Sequence, residues 1–265
     1  MKYNKYTFIK MVIFLFIVIF FLFFIKKFYL LNFKENFSNQ FPKVIWICHK
    51  DIKTIEKYSE KWKKLNPEYE IKLFDDTLCR KMIEENYPQL YVSIFDYLED
   101  GPIKADFWRL CVLYLHGGVY ADSDIEPFVK IDDFVEPSAD FVICSTYEKE
   151  YSFNPNFIIC EKNEHIIKNC IDWYISKYQN NDKYKYWDWS IVQAFNDTLI
   201  IPGYDKNDTI YSIKDSQQNN KNIQVLKQIN ETINTQKDDY VIYHDVKIFN
   251  DRHSNYDSIN HRYND

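Results

Sequence analysis

IKADFWRLCVLYLHGGVYADSDIE, running from Ile103 to Glu126, joins patterns that chance seldom places in a row. Ile103 to Leu115 is almost wholly apolar and long enough for a helix, and a helix apolar on all sides is a buried one. Asp106 and Arg109 nevertheless lie in it three residues apart, which sets them on one helical face. A charged pair in such a place is costly unless each group is satisfied. Gly117-Gly118 then supplies a residue able to take the left-handed conformation that caps a helix. Val119-Tyr120-Ala121 reads as a short buried strand that runs into Asp122-Ser123-Asp124.

Carboxylates at alternate positions of an extended chain project to the same side. These two follow the carboxyl end of a strand, where open α/β sheets bind their ligands. Paired hard oxygens suit Mn²⁺ or Mg²⁺, which keep positions open for phosphate oxygens. An Asp-X-Asp alone recurs in many loops. Joined to a buried Asp/Arg helix and a Gly-Gly cap, it is specific.

The run Ala105-Asp106-x-x-Arg109 and then Gly117-Gly118-Val119-Tyr120-x-Asp122-x-Asp124 resembles the sugar-nucleotide signature of family-32 glycosyltransferases. That group includes initiating α-1,6-mannosyltransferases, sphingolipid mannosyltransferases and bacterial capsular enzymes. The large clostridial glucosylating toxins carry a similar arrangement. The resemblance implies an α/β fold, a glycosyltransferase-A-type Rossmann-like mixed sheet with flanking helices. It also implies roles. Asp122 and Asp124 hold a metal ion and the donor diphosphate, with His244 as a further metal ligand. Asp106, Arg109, Tyr120 and Gly118 line the donor sugar. Trp46 stacks on the nucleotide base beside Asp122, or is a core tryptophan. Trp187 and Asp188 face the acceptor, or Asp188 or Ser190 caps a helix. No catalytic nucleophile is assigned.

With 265 residues, 46% hydrophobic and 27% charged, the chain has room for one sizeable domain and an accessory segment. A net charge of -6 argues against a nucleic-acid partner. The six cysteines lack C-x-x-C spacing, so zinc is not expected. Cys48, Cys111, Cys144 and Cys160 lie in apolar runs, the setting of buried free thiols rather than disulfides.

Met11 to Ile25 is an unbroken run of large apolar residues. At about 1.5 Å per residue it covers ~22 Å, against a hydrocarbon core of ~30 Å. Phe8, Ile9 and the snorkelling stem of Lys10 extend it. The small residues of a signal-peptide cleavage site do not follow it. Residues 11–27 are therefore expected to be an uncleaved transmembrane signal anchor. Residues 1–10 form a cytosolic tail, 28–40 a stem and 41–265 the catalytic glycosyltransferase domain. Lysines flank the span almost evenly, so charge does not set its orientation. The family resemblance implies single-pass type II, in a Golgi or endoplasmic-reticulum-like membrane.

Along the chain, Val44 to Cys48 is a first strand and Thr54 to Leu65 a helix. Ile71 to Phe74 is a second strand, and Asp75-Asp76 caps a helix that runs to about Asn86. Pro88 to Glu99 is another helix, and Ile125 to Phe128 an edge segment. Asp140 to Ser145 and Asn156 to Cys160 are strands, followed by a helix over 163–178 and one reaching Phe195. Lys206 to Asp239 is Asn/Gln-rich and weakly patterned, and is expected to form surface loops or an insert. Tyr240 to Tyr243 is a last strand.

Taken with these readings, the resemblance implies a metal-dependent, retaining glycosyltransferase. It moves a hexose, mannose first, from a nucleotide-diphosphate sugar to a glycan, glycolipid or glycoprotein hydroxyl. Its partners are that donor, the acceptor and a lipid bilayer. The alternatives are a catalytically inactive membrane-anchored glycan-binding protein of the same fold, or a metal-dependent phosphotransferase or hydrolase.

Overall fold

Val44–Cys48 (β1) is apolar at every position because both of its faces are covered. Val44 and Trp46 point into the larger core with the helices, while Ile45 and Ile47 are buried on the other face. In this computed structural model the described residues are 14, 18–23, 41–146, 152–204, 209–214, 219–233 and 236–251. The chain divides into two units, Met1–Gln40 and Phe41–Asp265. In the first, Phe14 and Val18–Phe23 are helical and exposed. The rest of the expected anchor, the tail over 1–10 and the stem over 28–40 lie outside the described residues. Among the described residues no helix is long and apolar enough to cross a membrane.

The second unit is a mixed α/β sheet. β1 pairs in parallel with β2 (Glu70–Phe74) and β3 (Gly118–Ala121). β6 (Phe153–Cys160) runs antiparallel to β3, and β5 (Phe141–Ser145) antiparallel to β6. β8 (Asn220–Ile233) pairs in parallel with β5 and antiparallel with β7 (Ile210–Lys214) through its first half. Its second half passes to β9 (Gln236–Tyr243), then β10 (Val246–Asp251), and last β4 (Ile125–Pro127), all antiparallel. β4 ends this path, yet it follows β3 in sequence after Asp122-Ser123-Asp124. The acidic turn therefore links β3, inside the path, to the strand at its far end.

The helices are α1 (Ile52–Leu65), α2 (Asp76–Asn86), α3 (Gln89–Tyr97), α4 (Gly101–His116), α5 (Ile131–Phe134), α6 (His165–Gln179) and α7 (Ile191–Thr198). α4 has the expected all-round burial and packs against α2 and α6. On the opposite face, Trp62 of α1 stacks on Phe157, which also meets Phe134 and Phe249. The capping role of Asp75 holds, its Oδ1 accepting the Leu78 amide at 2.8 Å. All six cysteines are free and all but Cys48 are buried.

Gly117 and Gly118 have φ of 67° and 95°, a region that side-chain-bearing residues avoid. A Cβ on Gly118 would stand 2.6 Å from Val44 Cγ1 and 2.8 Å from the Val44 carbonyl oxygen. The glycine thus lets β3 lie tightly beside the start of β1.

Lys206 to Asp239 is not a set of surface loops. It contains β7, the long β8 and part of β9. Ile223 and Val225 face the core, while Gln224 between them is fully buried on the other side. Its amide donates to the Phe134 carbonyl and accepts from the Glu136 N–H, both at 2.8 Å. A buried polar residue thus occupies an apolar alternation and hides it. Gln224→Ala leaves two backbone groups unpaired and is expected to lower unfolding free energy by about 2–4 kcal/mol, as read by urea denaturation.

Candidate active site

Four elements converge at the carboxyl end of β3. Asp106 and Arg109 project from α4, 7% and 6% exposed. Arg109 Nη2 lies 2.7 Å from Asp106 Oδ1, and Nη1 lies 3.1 Å from Asp122 Oδ1. Nη1 also donates to the Pro155 carbonyl of β6 at 2.7 Å. The guanidinium sits 4.3 Å from the centre of the Tyr120 ring, at cation–π distance. The Tyr120 hydroxyl donates to Asp122 Oδ1 at 2.6 Å, and the Ile191 N–H, opening α7, donates to Asp106 Oδ2 at 3.0 Å. Asp122 itself is tied to β6 by its N–H, which donates to the Asn156 carbonyl at 2.8 Å.

Asp122 to Ile125 is a turn, closed by the Ile125 N–H donating to the Asp122 carbonyl at 3.2 Å. The expected extended chain through the Asp-X-Asp is therefore replaced by a bend, and same-side projection does not follow from strand geometry. Asp122 keeps a 30% exposed side chain, with Oδ1 engaged and no bond to Oδ2 among the described residues. Ser123 and Asp124 are half-buried. Among the described residues no cluster of three or more His, Cys, Asp or Glu could hold an ion. A divalent ion here would draw on the oxygens of this acidic turn. That fits Mn²⁺ or Mg²⁺ retaining water and diphosphate oxygens.

Burial pushes the Asp106 carboxyl up to about 6, against the opposite pull of Arg109 and the Ile191 amide. Burial also works against the Arg109 charge, but Asp122, Tyr120 and Asp106 outweigh it and hold the guanidinium protonated. Burial raises the Tyr120 phenol, so it stays a neutral donor. The folded Asp106 thus keeps a proton that the unfolded chain releases near pH 4. Its contribution to stability is fully present below about pH 4 and is lost as pH rises through about 6. Asp106→Asn, which does not titrate, is expected to flatten that part of the profile when unfolding is measured from pH 4 to 7.

The structure brings Asp106, Arg109, Tyr120 and Asp122 together, and it moves other expected residues elsewhere. Trp46 is 4% exposed, donates to the Gly117 carbonyl at 2.9 Å and stacks on His116. It is a core residue, closed to a nucleotide base. Gly118 is buried against the start of β1 at Val44. His244 does not join the metal shell. It turns the β9–β10 hairpin with Asp245, both at positive φ, and its Nε2 lies 3.7 Å from Glu136 Oε1. The far end of β10, Asp251, pairs with Ile125 beside the acidic turn, which puts His244 roughly 20 Å away along the strand. Trp187 and Asp188 sit in a one-turn 3₁₀ helix, exposed, and Ser190 caps α7 through the Gln193 amide at 3.3 Å. This segment leads directly to Ile191 and so to Asp106. The Pro155 carbonyl and the Ile191 amide were missed as site groups. The strand register jumps across Pro155 to Phe157, a bulge of the kind that re-aims groups beside active sites.

The buried Asp/Arg couple and the acidic turn both fall within a stretch that matches a known family. Residues 53–141 match the family described as "Glycosyltransferase sugar-binding region containing DXD motif", and the family-32 resemblance carried by Ala105 to Asp124 holds. The chain is 31% identical over 116 residues to the initiation-specific α-1,6-mannosyltransferase of Candida albicans, covering 40% of this chain and 30% of that one. It is 38% identical over 90 residues to inositol phosphoceramide mannosyltransferase 2 of Schizosaccharomyces pombe, covering 31% and 26%. The chain thus spans less than a third of these relatives' length. Among solved structures it is similar to PaToxG glycosyltransferase, at 17% identity and a TM-score of 0.47, covering 65% of this chain and 76% of that one.

Proposed function

We propose that the protein is a metal-dependent glycosyltransferase of the A-type fold. It transfers a hexose from a nucleotide-diphosphate sugar to a hydroxyl of a glycan, glycolipid or glycoprotein. Mannose is the first donor to test, since two of the relatives are mannosyltransferases. One observation carries the reading: Asp122 is held through Oδ1 by Arg109 and Tyr120, with Oδ2 left for a ligand. Asp124 follows on the same turn.

Asp122 and Asp124 hold Mn²⁺ or Mg²⁺ with the donor diphosphate. When bound, the ion supplies Lewis-acid neutralisation of charge on the departing diphosphate. Tyr120 and Arg109 orient Asp122, so the carboxylate is preorganised before the ion arrives. Trp187 offers an exposed aromatic face for an acceptor sugar, and Asp188 a carboxylate for its hydroxyls. Retention of configuration follows a front-face route, the acceptor hydroxyl entering on the side from which the diphosphate leaves. Residues 11–27 anchor the chain in a membrane in type II orientation.

The test is a donor panel offered to the full-length chain with Mn²⁺ and simple mannoside acceptors, with products weighed by mass spectrometry. A product heavier than the acceptor by one hexose supports the reading. Phosphate release without a glycosidic product would instead indicate a phosphotransferase or hydrolase. Binding of glycan with no turnover of any donor would indicate an inactive binding protein.

A further inference from the structure

Asp106 is the residue expected to bond donor hydroxyls, yet its surroundings point to another job. Its side chain is 10% exposed, and both oxygens are already engaged by the protein. Oδ1 faces Arg109 Nη2 and Oδ2 takes the Ile191 N–H. Arg109 continues the line to Asp122 Oδ1, where Tyr120 also donates. The result is a continuous buried chain: Ile191 amide, Asp106, Arg109, Asp122. Its start is the first residue of α7, directly behind Trp187-Asp188-Trp189-Ser190. Its end is the carboxylate assigned to the metal.

We propose that Asp106 is a positioning residue that latches the Trp187–Ile191 segment to Asp122, so that the acceptor-side segment and the affinity for the divalent ion are coupled. The proposal rests on the metal assignment made above. Two further features favour a latch over a simple core ion pair. Helix α7 is short, and its N-terminus puts a backbone dipole against the carboxylate. Asp106 also ties two parts of the chain 85 residues apart, so its bonds set where the 3₁₀ turn of Trp187–Trp189 stands relative to the acidic turn. A carboxylate whose charge is shared between a helix N-terminus and a guanidinium transmits a change at either side to the other. Coupling of this kind acts in both directions: whatever orders Asp122 also orders the start of α7.

The experiment separates the amide from the side chain at position 191. Ile191 is the first helical residue, with Ser190 before it extended at φ −72° and ψ 150°. Proline fits both positions. Ile191→Pro therefore removes the N–H that reaches Asp106 and leaves the helix able to form. Ile191→Ala keeps the N–H and loses at least as much side chain. Mn²⁺ binding to the full-length chain, read by the loss of free-ion paramagnetic resonance signal, is expected to weaken about tenfold in Ile191→Pro. In Ile191→Ala it should stay within about twofold of the parent. Equal affinity in the two variants overturns the proposal.

Backbone hydrogen exchange over 187–198 gives a second arm that needs no metal and no proline. Asp122→Asn weakens the hold on Arg109 and is expected to speed exchange of the Ile191 amide severalfold. Unchanged exchange there overturns the latch. If the parent chain binds no Mn²⁺, the metal assignment falls, and the exchange arm still decides the coupling.

Discussion

Asp124→Ala, and equally Asp122→Ala, is expected to reduce transfer from a nucleotide sugar by at least roughly 10²–10³-fold. The two variants should fail for different reasons. Asp124 lies half-buried on the turn, so its removal should take away a proposed ligand and leave α4 and β3 in place. Asp122→Ala also strips Arg109 of one carboxylate and Tyr120 of its acceptor, so it should lose stability as well. Asp122→Asn keeps the acceptor for Tyr120 and removes the charge, and should fold better than the alanine variant with no recovery of turnover. Initial rates with saturating Mn²⁺, paired with denaturation curves, separate these outcomes. An Asp124→Ala enzyme that turns over at the parental rate would end the assignment of this turn as the donor site.

Arg109→Ala is the substitution expected to damage the fold most. Arg109 is the single cation between the buried Asp106 and the partly buried Asp122, and it also satisfies the Pro155 carbonyl. Without it, burial and the repulsion of Asp122 leave the Asp106 carboxylate supported by one amide, and at pH 7 the group must take up a proton to remain buried. A loss of about 3–5 kcal/mol follows from stranding one member of a buried pair. The loss should shrink at acid pH, because a protonated Asp106 no longer needs the guanidinium. Arg109→Lys should fall between, since an ammonium cannot reach Asp106, Asp122 and Pro155 through a planar fork. Equal stability of Arg109→Ala and the parent at pH 7 would mean that the couple contributes nothing to folding.

The parts of this site that were legible in the sequence are those written in local patterns. The helix over 103–115, the Gly117-Gly118 break and the strand before Asp122 lie within one short window, and hydrophobic period and glycine chemistry suffice for each. The couple of Asp106 and Arg109 was legible because helix geometry alone brings residues three apart together. What completes the site arrives from far along the chain. The Ile191 amide and the Pro155 carbonyl carry no side-chain signal, since backbone groups of any residue could serve. Trp46 misled because a tryptophan at a strand's end looks the same whether it meets a base or, as here, a histidine and a backbone carbonyl. His244 misled for a different reason. A hairpin turned by two non-glycine residues at positive φ leaves no Asn-Gly mark, so β10 went unseen and the histidine looked like the end of the last strand. In β8 the buried amides of Gln224 and Gln228 stand where apolar residues would have declared a strand.

The acidic turn joins β3 to β4, the last strand of the path, so its two aspartates lie between strands that pair with different neighbours. Asp122 is tied to the antiparallel β3–β6 pair through Asn156, and Asp124 leads straight into the β4–β10–β9 strands. Under the proposed metal assignment, an ion gripped by both would brace these two groups of strands against each other, and donor binding would stiffen the wall that carries it.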